Sequence, residues 1–351
     1  MKEKVNPSLR KALFLATTGI VFTLFFQGQP EDIPKNIDPA KAEGPGWNLA
    51  WSDEFAPPEG QEEGEIDTDK WGVYHGGPCR RDNVKLVRKD EGSDGYLSLQ
   101  IRKKTAPNGN AWSWGMICTG PAIIGKQGAM GPIRKLFAPP EGGEARIELK
   151  FKGIDAKQEG MMISGIQHGF WMFSKSTAVP GTGIKNMRGE IDMLEHASPA
   201  GGKPMMNSIH ITEFLGDRWG QGEKKKSSDW ELVPTGKGQK GNFDDNQWHT
   251  LVAEWSAERV LISLDGKVLN ERYNKPGENG LKGSNYHNHP FIARYFPFDE
   301  KFPLALMISS QIYRDGSVWG GIGPDPDEPT DYSRLPLEVR VDYVRFYKKN
   351  N

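Results

Sequence analysis

The stretch RGEIDMLEHAS, residues 188–198, sets three acids within six residues: Glu190, Asp192 and Glu195. Only apolar Ile191, Met193 and Leu194 separate them. In a β-strand successive side chains point to opposite faces. Glu190 and Asp192 then share one face, while Ile191 and Met193 enter the core. Glu195 has the wrong parity and would turn inward beside Ile191. One extra residue at Met193–Leu194, a β-bulge, returns it to the acidic face, and bulges recur beside active sites where a side chain is re-aimed. The pattern E-x-D-x-x-E predicts a bulged strand with three carboxylates in one row.

Three neighbouring carboxylates on a half-desolvated face cannot all be ionised cheaply, so one of the set is expected to keep its proton. One ionised and one protonated carboxyl, roughly 5–5.5 Å apart, form the apparatus that cleaves a glycosidic bond with retention. The first attacks the anomeric carbon and the second protonates the leaving oxygen. Two other readings stay open. A solvated strand face is opposed by the apolar flanks, and a calcium site draws its oxygen ligands more often from a loop than from a regular strand.

The elements that must position this strand read as β throughout. YLSLQIRKK (96–104) alternates Leu97, Leu99 and Ile101 with Ser98, Gln100 and Arg102, and EARIELKFKG (144–153) does the same with Ala145, Ile147, Leu149 and Phe151. WHTLVAEWS (248–256) and RVLISLDGKVL (259–269) form a predicted hairpin pair, the second carrying the Asp265-Gly266 turn signal. LEVRVDYVRFYKK (337–349) is a final long strand with Val339, Val341, Tyr343 or their neighbours inward. No segment sustains an apolar period of 3.6, so helices should be short and few. With Gly 42 and Pro 25 there is ample material for turns, and Trp 11, Phe 16 and Tyr 9 leave aromatic surface over for a ligand. The fold class is all-β, two packed antiparallel sheets.

Lys2, Lys4, Arg10 and Lys11 precede an uncharged apolar run from Ala12 to Phe26. That is the form of a secretory signal, and the run is short of the roughly 20 residues a permanent span needs. Residues 1–27 read as a signal peptide or short signal anchor, and either means export. Residues 28–46, rich in Pro, Gly and charge, are a linker, and residues 47–349 form one domain. A formal charge of −1 gives no reason to expect nucleic acid as a partner. Cys79 and Cys118 are the two cysteines, either a disulfide or two unrelated buried thiols.

GEIDMLEH resembles the signature of glycoside hydrolase family 16 in its bulged form. LAWSDEF with IDTDKW, DGYLSLQIRKK, GEARIELK, GFWMFS, NSIH, WHTLVAEWSAERVLISLDGK and VDYVRFY resemble further family segments, in family order. The resemblance covers about residues 47–348. It implies a concanavalin-like β-jelly-roll sandwich with a concave substrate cleft. Carried over, it implies Glu190 as nucleophile, Glu195 as general acid/base and Asp192 as the helper between them. Two departures leave both glucan- and galactan-cleaving branches open. His168-Gly169 stands before Phe170-Trp171-Met172 where laminarinases usually have Pro-Ala, and Ser174 to Arg188 is long and Gly-rich.

By the same resemblance Trp171 stacks on a sugar, against a plain reading as a core residue, and His210 and Asn207 lie near the acids. Trp112 and Trp114 in NAWSWG are either a further sugar platform or core packing. Arg188, two residues before Glu190, is either solvated charge or a fork for sulfate or carboxylate on an anionic polysaccharide. Glu54, Gly95 (by its carbonyl) and Asp342 match a structural calcium site of the family, and no cofactor is expected for catalysis. The expectation is an exported, endo-acting, retaining β-glycanase acting on β-1,3-glucan or a β-galactan such as agar, porphyran or carrageenan. The alternatives are a non-catalytic carbohydrate-binding protein on the same fold, or a transglycosylase. A polysaccharide is the expected partner; no protein partner is implied, and the chain is expected to be a monomer.

Overall fold

A computed structural model describes residues 46–75, 79–88, 95–103, 112–120, 133–153, 166–174, 186–198, 206–214, 230–232, 247–274, 298–312 and 336–350. The N-terminal segment 1–27 and all of the linker except Gly46 lie outside them. By packing, the chain divides into Met1–Ile37 and Asp38–Asn351, and every described residue belongs to the second unit.

In chain order the strands are β1 (Asn48–Asp53), β2 (Glu63–Gly64), β3 (Gly72–Val73), β4 (Val84–Val87), β5 (Tyr96–Lys103) and β6 (Trp112–Trp114). Next come β7 (Met116–Cys118), β8 (Glu144–Lys152), β9 (Ile166–Ser174), β10 (Asn186–Ser198), β11 (Met206–Phe214) and β12 (Trp230–Leu232). The last are β13 (Trp248–Trp255), β14 (Arg259–Leu264), β15 (Lys267–Tyr273), β16 (Leu304–Ile312) and β17 (Leu337–Lys349). Among the described residues helix is confined to a short 3-10 turn, Arg81–Asn83.

The strands form two antiparallel sheets. One has ten strands in the order β15-β14-β13-β8-β17-β5-β4-β2, with β1 also on β17 and β6 on β5. The other has seven, β12-β11-β10-β9-β16-β7-β3. Together they make a β-jelly-roll sandwich.

The alternation read from the sequence fills the space between the sheets. Leu97, Leu99, Ile101, Ala145, Ile147, Leu149 and Phe151 are fully buried from the ten-stranded side. Phe170, Met172, Ile191 and Leu194 meet them from the other. Phe151 on β8 and Phe170 on β9 bring their rings to 4.8 Å across the sandwich. Burying side chains of this size is worth about 1.5–3 kcal/mol each.

One expectation about strands holds in its wider form, with neighbours inward, and another is corrected. The final strand does not keep strict parity: its register shifts between Val341 and Tyr343. Val339 and Val341 point inward, but beyond the shift Val344 and Phe346 take over, and Tyr343 is only half-buried. The run 259–269 is not one strand of a pair. Asp265 (φ 48°) and Gly266 (φ 77°) turn it into a second hairpin, so β13, β14 and β15 form a meander. Asp265 Oδ1 accepts the Thr250 N–H at 2.8 Å, which ties this turn back to β13.

The segment WSDEF ends β1 in a buried junction. The Trp71 indole N–H donates to Asp53 Oδ2 at 2.7 Å, and the Phe55 N–H donates to Asp53 Oδ1 at 3.2 Å. Phe55 adopts the left-handed region, φ 49°, and is itself fully buried beside Trp71, with ring centroids 5.7 Å apart.

Candidate active site

β10 runs between β9 and β11. Against β9 its register pairs Glu190 with Phe173, Asp192 with Trp171 and Glu195 with Gly169, with a shift between Asp192 and Leu194. Against β11 it pairs Glu190 with His210, Asp192 with Ser208 and Glu195 with Met206, with a shift between Asp192 and Glu195. The bulge predicted at Met193–Leu194 is therefore present, and both neighbouring strands register it. Its cause is visible in the core: Ile191, Met193 and Leu194 are all fully buried. Two consecutive apolar side chains can both go inward only if the strand takes an extra residue. The burial they gain, about 1.5–3 kcal/mol each, exceeds the roughly 0.5–1.5 kcal/mol of one interrupted ladder hydrogen bond.

The acids line the other face. Glu190 and Glu195 are half-buried, and Asp192 is 3% exposed. Direct cross-strand partners share a face, so the floor is built in rows. Glu190 is followed by Phe173 and Ala305; Asp192 by Trp171, Met307 and Cys118; Glu195 by Gly169, Ser309 and Met116. Phe173, Ala305, Met307 and Cys118 form an apolar cluster of their own, with half-buried Trp171 packed on it. The Trp171 and Phe173 rings lie 5.1 Å apart at 32°. Just before Glu190 the Gly189 N–H donates to Ser174 Oγ at 2.9 Å, fixing the strand where the row of acids begins.

Glu190 and Glu195 stand opposite β9 residues four positions apart, a span of about 13 Å at roughly 3.3 Å per residue. Asp192, shorter and deeper, lies between them. Two glutamate side chains leaning over it can bring their carboxyls toward the roughly 5–5.5 Å that retaining cleavage uses.

The other candidates divide. Trp171 lies on the acid face, next to Asp192. His210 holds the register position opposite Glu190, and Asn207 stands across from the bulge. Arg188 precedes Glu190 by one alternation and pairs with Thr212. The side chains of His210, Asn207 and Arg188 lie outside the described residues. Trp112 and Trp114 are in β6, which pairs with β5 in the ten-stranded sheet rather than the sheet of acids. Trp114 sits opposite Ile101, 7% exposed in the inter-sheet core, so the sugar-platform reading gives way to core packing there. The side chain of Trp112 lies outside the described residues.

The calcium expectation meets a different arrangement. Arg345 donates from Nε to Glu54 Oε1 at 3.0 Å and from Nη2 to Glu54 Oε2 at 2.8 Å. Lys150 Nζ lies 2.9 Å from Asp342 Oδ2. A Cβ on Gly95 would fall 2.8 Å from the Phe55 carbonyl oxygen and 2.9 Å from that of Val87, so the position takes only glycine. Two side-chain cations already neutralise the carboxylates a calcium would need, and this donor set does not fit the ion. Among the described residues no group of three or more His, Cys, Asp or Glu is placed to hold a metal.

Cys79 and Cys118 are separate buried thiols, not a disulfide. Burial pushes each up to about 12, opposed at Cys118 by a hydrogen bond from the Gly120 N–H at 3.2 Å. Several floor residues escaped the sequence reading as site residues: Gly169, Ser309, Met307 and Cys118. Gly169 left a mark there as the departure from Pro-Ala, and Cys118 only as one of the two cysteines.

No protein-family model matches the sequence, and no curated protein matches it. Solved structures do. An endo-acting O-glycanase, of a kind that members of the human gut microbiota express to initiate mucin breakdown, is 21% identical. The match covers 87% of this chain and 92% of that one, with a TM-score of 0.53. The endo-β-1,3-glucanase of Pyrococcus furiosus is 18% identical over 87% of this chain and 95% of its own, TM-score 0.52. The kappa-carrageenase of Pseudoalteromonas carrageenovora, solved with a kappa-carrageenan oligotetrasaccharide, is 15% identical over 91% and 100%, TM-score 0.52. Likeness at these identities is a likeness of fold: the chain has the glycoside hydrolase family 16-like β-jelly roll that these glycanases share.

Proposed function

We propose that the protein is an exported, endo-acting β-glycanase that hydrolyses a β-linked polysaccharide with retention. The observation that carries this reading is the row Glu190, Asp192, Glu195, brought onto one face by the Met193–Leu194 bulge, beside half-exposed Trp171. Glu190 attacks the anomeric carbon and forms a covalent glycosyl-enzyme, while Glu195 gives its proton to the leaving oxygen. Glu195 then takes a proton from a water whose oxygen attacks the anomeric carbon, the bond to Glu190 breaks, and the sugar leaves with Glu190 again a carboxylate and Glu195 again an acid. Asp192, buried between them, couples to the charge on Glu190 as the intermediate forms and breaks. Trp171 offers an indole face for a sugar ring.

The sugar is a β-1,3-glucan or a β-galactan. The structural neighbours support a glycanase in general, and the substrates they are named for (glucan, carrageenan, mucin glycans) differ too much for the fold to select among them. Export rests on the basic and apolar N-terminal segment.

The test is product release from laminarin, mixed-linkage glucan, agarose, porphyran and carrageenan, comparing wild type with Glu190→Gln. Mid-length oligosaccharides bearing the β anomer at early times, absent with the variant, are expected. Binding without cleavage of any of the five would assign the carbohydrate-binding alternative instead. Products longer than an oligosaccharide added as acceptor to the same assay would mark a transglycosylase.

A further inference from the structure

Gly169 is the one position of the third floor row without a side chain. It is the direct cross-strand partner of Glu195 on β10 and of Ser309 on β16. A Cβ placed on it would lie 3.0 Å from Ser309 Oγ, 3.5 Å from Trp171 Cδ1 and 3.7 Å from Trp171 Nε1. Cβ atoms of direct cross-strand partners are normally about 4.5–5.5 Å apart. An Oγ only 3.0 Å from that point therefore leans out of its own column, toward β10. Ser309 Oγ accepts a hydrogen bond from Gln311 Nε2 at 2.9 Å, which leaves its own proton to donate. The indole nitrogen of Trp171 is a donor and nothing else.

Two donor atoms thus border the volume over Gly169, and the next residue along the row is Glu195. Its Cα stands about 4.5–5.5 Å from that of Gly169, a distance a glutamate side chain spans easily. We propose that Gly169 keeps open a donor notch in which Ser309 and Trp171 hold the ionised carboxylate of Glu195. Ser309 acts in it as a positioning residue.

The catalytic meaning of the notch rests on Glu195 being the acid/base; its geometry does not. In retaining hydrolysis that group is protonated for one half of the cycle and ionised for the other. Donors aimed at the carboxylate favour the ionised form and so set the pH at which the acid is spent. Other titratable or charged residues hold register positions of this face: Arg188, Glu190 and Asp192 on β10, His210 on β11 with Glu231 across from it on β12, and Cys118 on β7, with Tyr74 beside it, whose N–H bonds to the Met116 carbonyl. β9 and β16 contribute none to the rows beside Glu195.

The experiment is a titration of the full-length protein carrying carboxyl-13C glutamate, followed by NMR without substrate. The Glu195 signal is assigned by its loss in Glu195→Gln. Ser309→Ala is expected to raise the Glu195 midpoint by about one unit, a tenfold change in proton affinity at 1.36 kcal/mol per unit. Gly169→Ala, whose methyl would stand 3.0 Å from Ser309 Oγ and push it aside, raises the midpoint in the same direction. Ser309→Thr keeps the hydroxyl and leaves the midpoint in place. An unmoved or lowered midpoint in Ser309→Ala overturns the proposal. If that variant does not fold, a midpoint unmoved in Gly169→Ala, or raised in Ser309→Thr, overturns it as well. A protein that cleaves no polysaccharide yet shows these shifts would overturn the glycanase reading and leave the notch standing.

Discussion

Trp171 and Asp192 are direct cross-strand partners, so a half-exposed indole lies against an acid that is 3% exposed. The pair places an aromatic surface for a sugar beside a carboxylate kept from solvent, with a glutamate one step along the row on each side. Each acid consequently has a separable job.

Glu190→Gln is expected to abolish turnover, because a carboxamide cannot form the glycosyl-enzyme. Glu195→Gln should lower kcat by roughly 10²–10⁴-fold, the range of a positioned general acid/base. Asp192→Asn should cost less than either and move the pH profile, since its work is to tune a neighbour's charge. Initial rates on the best of the five polysaccharides, with circular dichroism to show an intact fold, check all three. Near-wild-type rates in a glutamate variant would remove that residue from the mechanism.

Arg188 stands one alternation before Glu190 on the same strand. If it meets a sulfate, the charge-assisted contact is worth ~1.5–3 kcal/mol. Arg188→Ala should then lower kcat/KM on a sulfated galactan roughly ten- to a hundredfold, a factor of ten per 1.4 kcal/mol. On neutral laminarin the same change should do far less. Equal losses on the two substrates would exclude an anionic sugar at this position.

The Arg345–Glu54 and Lys150–Asp342 pairs predict a fold indifferent to calcium. Thermal midpoints with chelator and with added calcium should coincide. Arg345→Met should destabilise by ~1–3 kcal/mol, because it strands the two Glu54 oxygens that the guanidinium now satisfies. A rise in the wild-type midpoint with calcium would mean that the ion displaces these cations.

Asp53 offers a test in pH. Burial raises its carboxyl above the ordinary 3.8, against the opposing pull of Lys70, the Trp71 hydrogen bond and the Phe55 N–H. A folded-state pKa above the unfolded one means the folded protein holds this proton more tightly. That contribution to stability is complete below the unfolded pKa and is lost as pH rises through the raised folded value. Asparagine does not ionise and keeps an oxygen to accept from the Trp71 indole. The stability advantage of wild type over Asp53→Asn should therefore shrink as pH rises from below the ordinary carboxylate value through the raised one, in denaturant titrations. An advantage that grows over this window would show that Lys70 outweighs burial.

Much of this architecture is legible in the sequence because it rests on parity. Ala145, Ile147, Leu149 and Phe151 announce their face by alternation alone. The bulge in β10 is legible for the same reason, since Glu195 is an acid at a core parity and something must give. What parity cannot supply is the identity of a neighbour. Trp112 and Trp114 alternate like platform residues, but which sheet a three-residue strand joins depends on its partner, β5. Arg345 and Glu54 lie 291 residues apart, so their pairing leaves no local trace. The shift after Val341 was invisible because Val, Tyr and Val occupy both parities there, and either set is apolar enough to bury.

The bulge in β10 also guards the way this strand is assembled. A slip of one residue exchanges every face of a strand, and here it would drive Glu190 and Asp192 between the sheets and lift Ile191 into water. A buried carboxylate without a partner costs several kcal/mol, far more than a misplaced ladder returns. The residues assigned to cleaving sugar thereby act as proofreaders of their own alignment. The wrong pairing is rejected by charge, before any substrate is met.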